Sequence, residues 1–224
     1  ADHEAIGRVA AEHLLALGLR HFGYYGIAGP WYSRARERGF SERLHQAGHD
    51  CAVFRQAASG VRAQKWRQRY AGLERWLKGL PKPCGILAVH DYRARVVMEL
   101  CSRLGFAIPG EVALLGVDND PTTCEYCTPS LSSVSRDPFA CGVAAAALLY
   151  SLMRGLPVSG RDTLVRPQGV ITRGSTDHFY DDDPVVRRVV EHVVAHAGEA
   201  MSVAAIAKRL RMSRATTIGT SPGR

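Results

Sequence analysis

Long apolar runs are missing from this sequence. The longest, such as "VAAAALLYSLM" at 143–153, fall well short of the roughly 20 residues a membrane-spanning helix needs. No membrane partner is therefore expected. The opening "ADHEAIGRVAAEHLL" carries neither a basic leader nor a small-residue cleavage site, so no secretory signal is read and the expected location is cytoplasmic. Acids are the scarcer charge: 21 Asp and Glu stand against 29 Lys and Arg, a net charge of +8. That balance permits a polyanionic partner without naming one. A glycine-rich phosphate loop, a nucleophile elbow, a kinase signature and a metal-spaced histidine pair are all absent, and the nine histidines are scattered. These gaps argue against nucleotide binding and catalysis, so the expectation is a non-enzyme with no cofactor and no metal site.

Cysteines number six. Cys51, Cys84, Cys101 and Cys141 are isolated among apolar residues and read as reduced, mostly buried thiols. "CEYC", Cys124 to Cys127, is a CxxC. Zinc would need a second ligand pair, and a redox motif would open a helix just after a strand. Pro121 and Pro129 instead place it in a loop, as two incidental cysteines.

With 224 residues and a 46% hydrophobic content, the chain can bury one sizeable domain with a small appendage. Its pattern alternates. Ile6, Val9, Ala10, His13, Leu14 and Leu17 recur at helical spacing before Gly18, and "HFGYYG" then reads as a strand. The Arg-rich helix "SRARERGFSERLHQAGH", strand "CAVFR", a helix through Trp66, Tyr70, Leu73, Trp76 and Leu77, and strand "GILAV" follow. Next come a helix through Ala94, Val97, Met98, Cys101 and Leu104, strand "EVALLGV", a short strand "SLSSVS", a helix from about Phe139 to Arg154 and strand-like "LVRPQGVIT". Strands alternating with helices predict an α/β fold with a parallel sheet covered on both faces. "ALLGV" is uninterrupted because a central parallel strand is buried on both sides.

The C-terminal part has another character. "DDDP" at 181–184 precedes a Val-rich helix at 184–197, and 201–224 holds five basic residues and no acid. A charge shift of this kind marks a boundary. In "SVAAIAKRLRMSRAT", Ser202 reads as an N-cap, Val203, Ile206, Ala207 and Leu210 form a helical stripe, and Ser213 reads as a second N-cap beyond a tight break. That is the layout of a helix-turn-helix, whose second helix enters the major groove. The candidate DNA-binding residues are Ser202, Lys208, Arg209, Arg211, Ser213 and Arg214. The plainer alternative is a helical hairpin with a solvated basic face.

Ligands of open parallel sheets bind beyond the carboxyl ends of the strands. "LAVHD" ends in Asp91 and "LLGVD" in Asp118, while "SRAR" offers Ser33 and Arg36 after strand "FGYYG". Carboxylates accept paired hydrogen bonds from vicinal hydroxyls and a guanidinium donates to ring or hydroxyl oxygens. The set suits a sugar better than a phosphate, and Asn119 beside Asp118 completes it. Taken singly, Asp91 could simply cap the helix "DYRAR" and Asp118 could start a turn. Two acids at corresponding strand ends favour a ligand site.

The stretches "DHEAIGRVAAEHLLALGLRHFGYYG", "SRARERGF", "GILAVHDYRARVVMELCSRLGFAIPGEVALLGVDND", "PSLSSV" and "VITRGSTD" resemble the ligand-sensing domain of LacI-type regulators, which has the type I periplasmic-binding-protein fold. Followed by a helix-turn-helix, they are similar to bacterial xylose operon activators, which place such a sensor before an AraC-type DNA-binding domain. The resemblance implies a sugar-responsive transcription regulator, with a pentose such as xylose as ligand, a double-stranded DNA operator as partner and a homodimer as the assembly. Under it, Asp118 matches the sugar-binding Asp of "GxD", Asp91 the polar residue ending the preceding strand, and Arg36 the Arg of "RxxGF". Ser213 and Arg214 match the start of a first recognition helix.

It also implies divisions of the chain. Residues 1–177 are expected as the sugar sensor (the second lobe with part of the first), 178–183 as a linker and 184–224 as an incomplete DNA-binding domain. "SRATTIGTSPGR" departs from the recognition-helix pattern, so the expectation is a regulator shortened at both ends. The rivals are a stand-alone sugar-binding protein or transport component, and, third, an enzyme.

Overall fold

Strand and helix alternate along the chain as the apolar pattern predicts, and the computed structural model describes residues 1–57, 66–158, 163–178, 183–196 and 202–210. The chain divides into two units, Ala1–His178 and Phe179–Arg224.

In the first unit, α1 (His3–Ala16) is capped by Asp2, whose carboxylate accepts from Ala5 N at 2.9 Å. Then come β1 (His21–Ile27), α2 (Trp31–Gln46), β2 (Cys51–Gln56), α3 (Trp66–Gly79), β3 (Cys84–Ala88), α4 (Asp91–Leu104) and β4 (Val112–Val117). A short helix α5 (Pro121–Glu125), β5 (Ser132–Ser135), α6 (Pro138–Met153), β6 (Gly169–Ile171) and a 3₁₀ turn (Gly174–Thr176) complete the unit. The six strands make one sheet in the order β2-β1-β3-β4-β5-β6. β1 to β5 run parallel, and β6 pairs antiparallel with β5.

The sequence-based expectation of a parallel sheet therefore holds for five strands and needs correction at the sixth. "LVRPQGVIT" contributes only its last part as strand. Burial explains the division: β3 and β4 are buried at every residue, whereas β6 lies at the sheet's edge and none of its three residues is buried.

One core packs α3 and α4 against the sheet, with Leu73, Leu77, Ile86, Ala94, Val97, Leu100 and Leu114 at its centre. On the other side, α1 and α2 cross with their backbones touching. A Cβ on Gly7 would stand 2.2 Å from Arg36 O, and one on Gly39 would stand 2.1 Å from Glu4 O. Two glycines permit a crossing that no larger residue fits. "CEYC" also needs correction: Cys124 lies in α5, not in a loop, and is fully buried. Burial pushes its thiol, and that of Cys101, up to about 12, so neither is primed for nucleophilic chemistry.

α6 stands apart. "PFACGVAAAALLYSLM" contains no charge, and none of its residues is buried. Phe139, Leu149, Tyr150, Leu152 and Met153 are each more than half exposed.

In the second unit, α7 spans Pro184–Ala195 and α8 spans Val203–Arg209. Ser202 caps α8, its hydroxyl accepting from Ala205 N at 3.2 Å. Ile206 and Ala207 are buried, while Lys208 and Arg209 are exposed. The candidate DNA-binding residues Arg211, Ser213 and Arg214 lie outside the described residues, as does most of the acidic cluster. No described helix is long and apolar enough to cross a membrane.

Candidate functional site

β1 sends its crossover to β2 on one side, and the next crossover carries the chain to β3 on the other. The two loops diverge at the carboxyl ends of β1 and β3, which opens a crevice there. α2 starts at one wall and α4 at another, and the turn after β4 closes the third side. Asp118 sits in that turn with φ 119, followed by Asn119 with φ 52. A side chain held at φ above zero is strained, at a cost of about 1–3 kcal/mol, and persists where its surroundings over-determine it.

The surroundings are visible. Asp118 N donates to Val134 O at 3.1 Å, Asn119 N donates to Ser133 Oγ at 3.0 Å, and Asp120 N donates to Asp91 Oδ2 at 2.9 Å. Ser133 Oγ itself donates to Asp91 Oδ1 at 2.6 Å. Asp91 thus faces inward, 2% exposed, with both oxygens engaged. Gly116 makes room for it, since a Cβ there would meet Asp91 Oδ1 at 2.2 Å. Burial is the main reason that its carboxyl is pushed up to about 6. The N-cap of α4 is His90, not Asp91. Asp91 lies behind Asp118 as its support, not beside it as a second ligand-facing acid.

His90 takes the place that the sequence reading gave to Asp91. Strands β3 and β4 pair Leu87 with Leu115, and the same offset carried three residues on sets His90 beside Asp118. Its Nδ1 lies 2.8 Å from Asp118 Oδ2; a carboxylate only accepts, so this nitrogen carries the proton. Nε2 lies 3.3 Å from the Tyr32 hydroxyl. The period-two alternation of a strand was the available signal, because it turns neighbours 90 and 91 to opposite sides.

Two guanidiniums flank the same carboxylate. Arg36, 1% exposed, donates through Nη1 to Val89 O and through Nε to His3 Nδ1 at 3.2 Å, and its Nη2 lies 3.6 Å from Asp118 Oδ1. Arg136 places Nε 2.6 Å from Asp118 Oδ1, yet neither atom finds a partner of hydrogen-bonding geometry. This pair is in ionic contact but poorly aligned. Burial and the Arg36 charge hold His3 down to about 4, which keeps it neutral beside the guanidinium.

Aromatic rings line the opening. Tyr32 lies 5.3 Å from His90 and under the Arg36 guanidinium at 5.6 Å. Tyr92 stacks on His90 at 5.3 Å with 17° between planes. His3 meets Trp31 edge-on at 4.9 Å, and Trp31 and Tyr92 are both more than half exposed. Charged hydrogen-bonding groups at the floor with exposed ring faces at the rim fit a polyhydroxylated ring, which is polar at its edges and apolar on its faces.

The other expected residues are present but occupied. Ser33 Oγ accepts from Ile27 N at 2.9 Å and is 1% exposed, tying α2 to the end of β1. Asn119 Oδ1 accepts from Arg173 Nη2 at 2.9 Å. Among the described residues, no cluster of His, Cys, Asp and Glu could hold a metal ion.

The periplasmic binding protein-like domain matches residues 11–176. The chain belongs to the periplasmic binding protein-like family. Within that family's range it is similar to the xylose operon regulatory protein of Haemophilus influenzae, at 32% identity over 95% of this chain and 55% of that protein. The protein of the same name from Escherichia coli K12 is 29% identical over the same shares. A solved xylose-binding transcription activator, XylR, superposes with a TM-score of 0.73 at 28% identity, covering 96% of this chain and 57% of the other. The chain spans about half the length of these relatives.

Proposed function

We propose that this periplasmic binding protein-like chain is the sensing part of a sugar-responsive, DNA-binding transcription regulator, and that its ligand is a pentose, xylose first. The observation that carries the reading is the Asp118 carboxylate held at the crevice by His90, Arg36 and Arg136 beneath a rim of Trp31, Tyr32 and Tyr92. In the proposed complex, Asp118 accepts from two vicinal hydroxyls and Arg136 realigns to donate to a sugar oxygen. Tyr92 and Trp31 cover a ring face. The names of the relatives support the choice of xylose.

Under this reading residues 1–177 are the sensor, 178–183 the linker and 184–224 the beginning of an AraC-type helix-turn-helix domain that binds operator DNA. Ser202 starts the first of its helices. A cytoplasmic homodimer is the form in which such a protein would act. Because the chain spans about half the length of its relatives, weak sugar binding and weak, salt-sensitive DNA binding are expected of it.

Thermal unfolding with increasing D-xylose is the direct test. The chain should gain stability with xylose and not with an equal concentration of a hexitol, and Asp118→Asn should remove the gain. An Asp118→Asn chain that xylose stabilises as strongly as the parent would take Asp118 out of the site.

A further inference from the structure

The site's strained turn has a second exit. Asn119 engages Arg173, whose Nη2 donates to Asn119 Oδ1 at 2.9 Å and whose Nη1 donates to Leu131 O at 3.0 Å. Arg173 Nη2 also lies 3.8 Å from Glu125. The backbone of Arg173 is latched as well: its N donates to Ser132 Oγ at 2.8 Å, and its O accepts from that hydroxyl at 3.0 Å. Directly after it runs the 3₁₀ turn, fastened from beneath by Ser175 Oγ to Leu114 O at 2.6 Å and by Thr176 Oγ1 to Ser132 Oγ at 2.7 Å. Ser175 and Thr176 are both buried. Two residues beyond Thr176 the first unit ends, and the second begins at Phe179.

We propose that Asn119 and Arg173 couple the crevice to the chain segment leading into the second unit, so that ligand at Asp118 changes the order of residues 169–178. The inference rests on the sugar-sensor reading. Its physical basis is that Asp118 and Asn119 share one strained turn. A ligand that pulls on the Asp118 carboxylate shifts the relative energy of that turn's arrangements, and Asn119 is part of the same turn. Its amide is bonded to the residue that opens the 3₁₀ turn, which makes a short contiguous route through hydrogen bonds and not merely a neighbourhood. Arg173 and Asn119 are positioning residues here: the Asn119 amide oxygen that the sequence offered to a sugar is engaged by Arg173.

The test is amide hydrogen exchange of the full 224-residue chain, followed over 169–178 with and without saturating D-xylose, alongside the thermal shift. Asn119→Gly is the decisive variant, because glycine keeps the left-handed backbone and deletes only the amide. Xylose should slow exchange over 169–178 in the parent by at least about fivefold, the lower end of ordinary coupling. In Asn119→Gly and in Arg173→Gln the slowing should fall below about twofold, on the same coupling scale, while Arg173→Gln, which removes no residue of the crevice, keeps the xylose-induced thermal shift. A parent chain that xylose stabilises without slowing 169–178, or an Asn119→Gly chain that slows as the parent does, overturns the coupling and leaves the sensor reading standing. Absence of any xylose-induced thermal shift in the parent overturns both.

Discussion

Two residues carry titrations that the fold makes measurable, and they oppose each other. Asp91 is held at about 6 chiefly by burial, above the ordinary carboxylate range, so the folded state binds its proton more tightly than the unfolded chain does. Its contribution to stability is full at low pH and is lost as pH rises through about 6. His3 is held at about 4, below the ordinary imidazole value. Its contribution is present at neutral pH and is lost as pH falls towards about 4. Denaturant unfolding of the parent and of Asp91→Asn from pH 4 to pH 7 separates them. Asp91→Asn should be less stable throughout, since an amide cannot accept from both Ser133 and Asp120. Its deficit should be largest at the acid end and narrow as pH rises. A deficit that widens with pH would mean that the hydrogen bonds to the carboxylate outweigh its burial.

At the scale of elements, the crossing of α1 and α2 depends on two positions without side chains. Gly39→Ala drives a methyl group into Glu4 O, and backbone cannot yield as a flexible side chain can. The expected loss is about 1–3 kcal/mol, the usual range for overpacking, and it appears as a lower urea midpoint with an unchanged slope. Gly110→Ala is the control, because its Cβ meets only Ala107 at an ordinary 3.5 Å. α6 makes a different prediction. An uncharged sixteen-residue helix with no buried residue is an apolar patch of the kind that binds hydrophobic dyes and promotes association. Leu149→Glu with Leu152→Lys should lower dye fluorescence and raise solubility without lowering the unfolding midpoint. A large loss of stability in that double variant would show that α6 is packed in solution.

These elements also mark what the sequence made legible. Strands β1 to β4 and the longer helices between them could be read because they are apolar runs or stripes bounded by turn residues, and "ALLGV" betrayed its burial directly; the serine-rich β5 was read as a short strand and the short α5 was missed. β6 was read only loosely, within "LVRPQGVIT", and its short extent and antiparallel direction not at all, since three partly exposed residues carry no periodicity. Within the candidate site, the meeting of Asp118 and Arg36 was foreshadowed by their places after strands. Asp91 was legible as a strand-end acid, but its burial behind the turn, 2% exposed with both oxygens engaged, was not. His90, Arg136, Tyr32 and Tyr92 gather around Asp118 only through the strand order and register, which local sequence does not contain.

The whole molecule joins a sheet unit to a second unit whose described elements are helices. The second contains α8 with Lys208 and Arg209 exposed at its last turn. If those two cations hold phosphates, as the DNA-binding reading requires, each releases counterions when it binds. The logarithm of affinity then falls against that of salt with a slope of about −0.9 for every phosphate neutralised. Lys208→Ala with Arg209→Ala should therefore flatten the slope by about 2 and weaken binding on unrelated and cognate duplexes alike, because phosphate contacts position without specifying. Electrophoretic mobility shifts from 50 to 200 mM salt, spanning the range over which such contacts dominate, measure both quantities. A slope indifferent to losing both cations would take α8 off the DNA-facing surface, whatever the first unit does with a sugar. Loss of preference for one duplex at an unchanged slope would instead mean that these side chains read base edges.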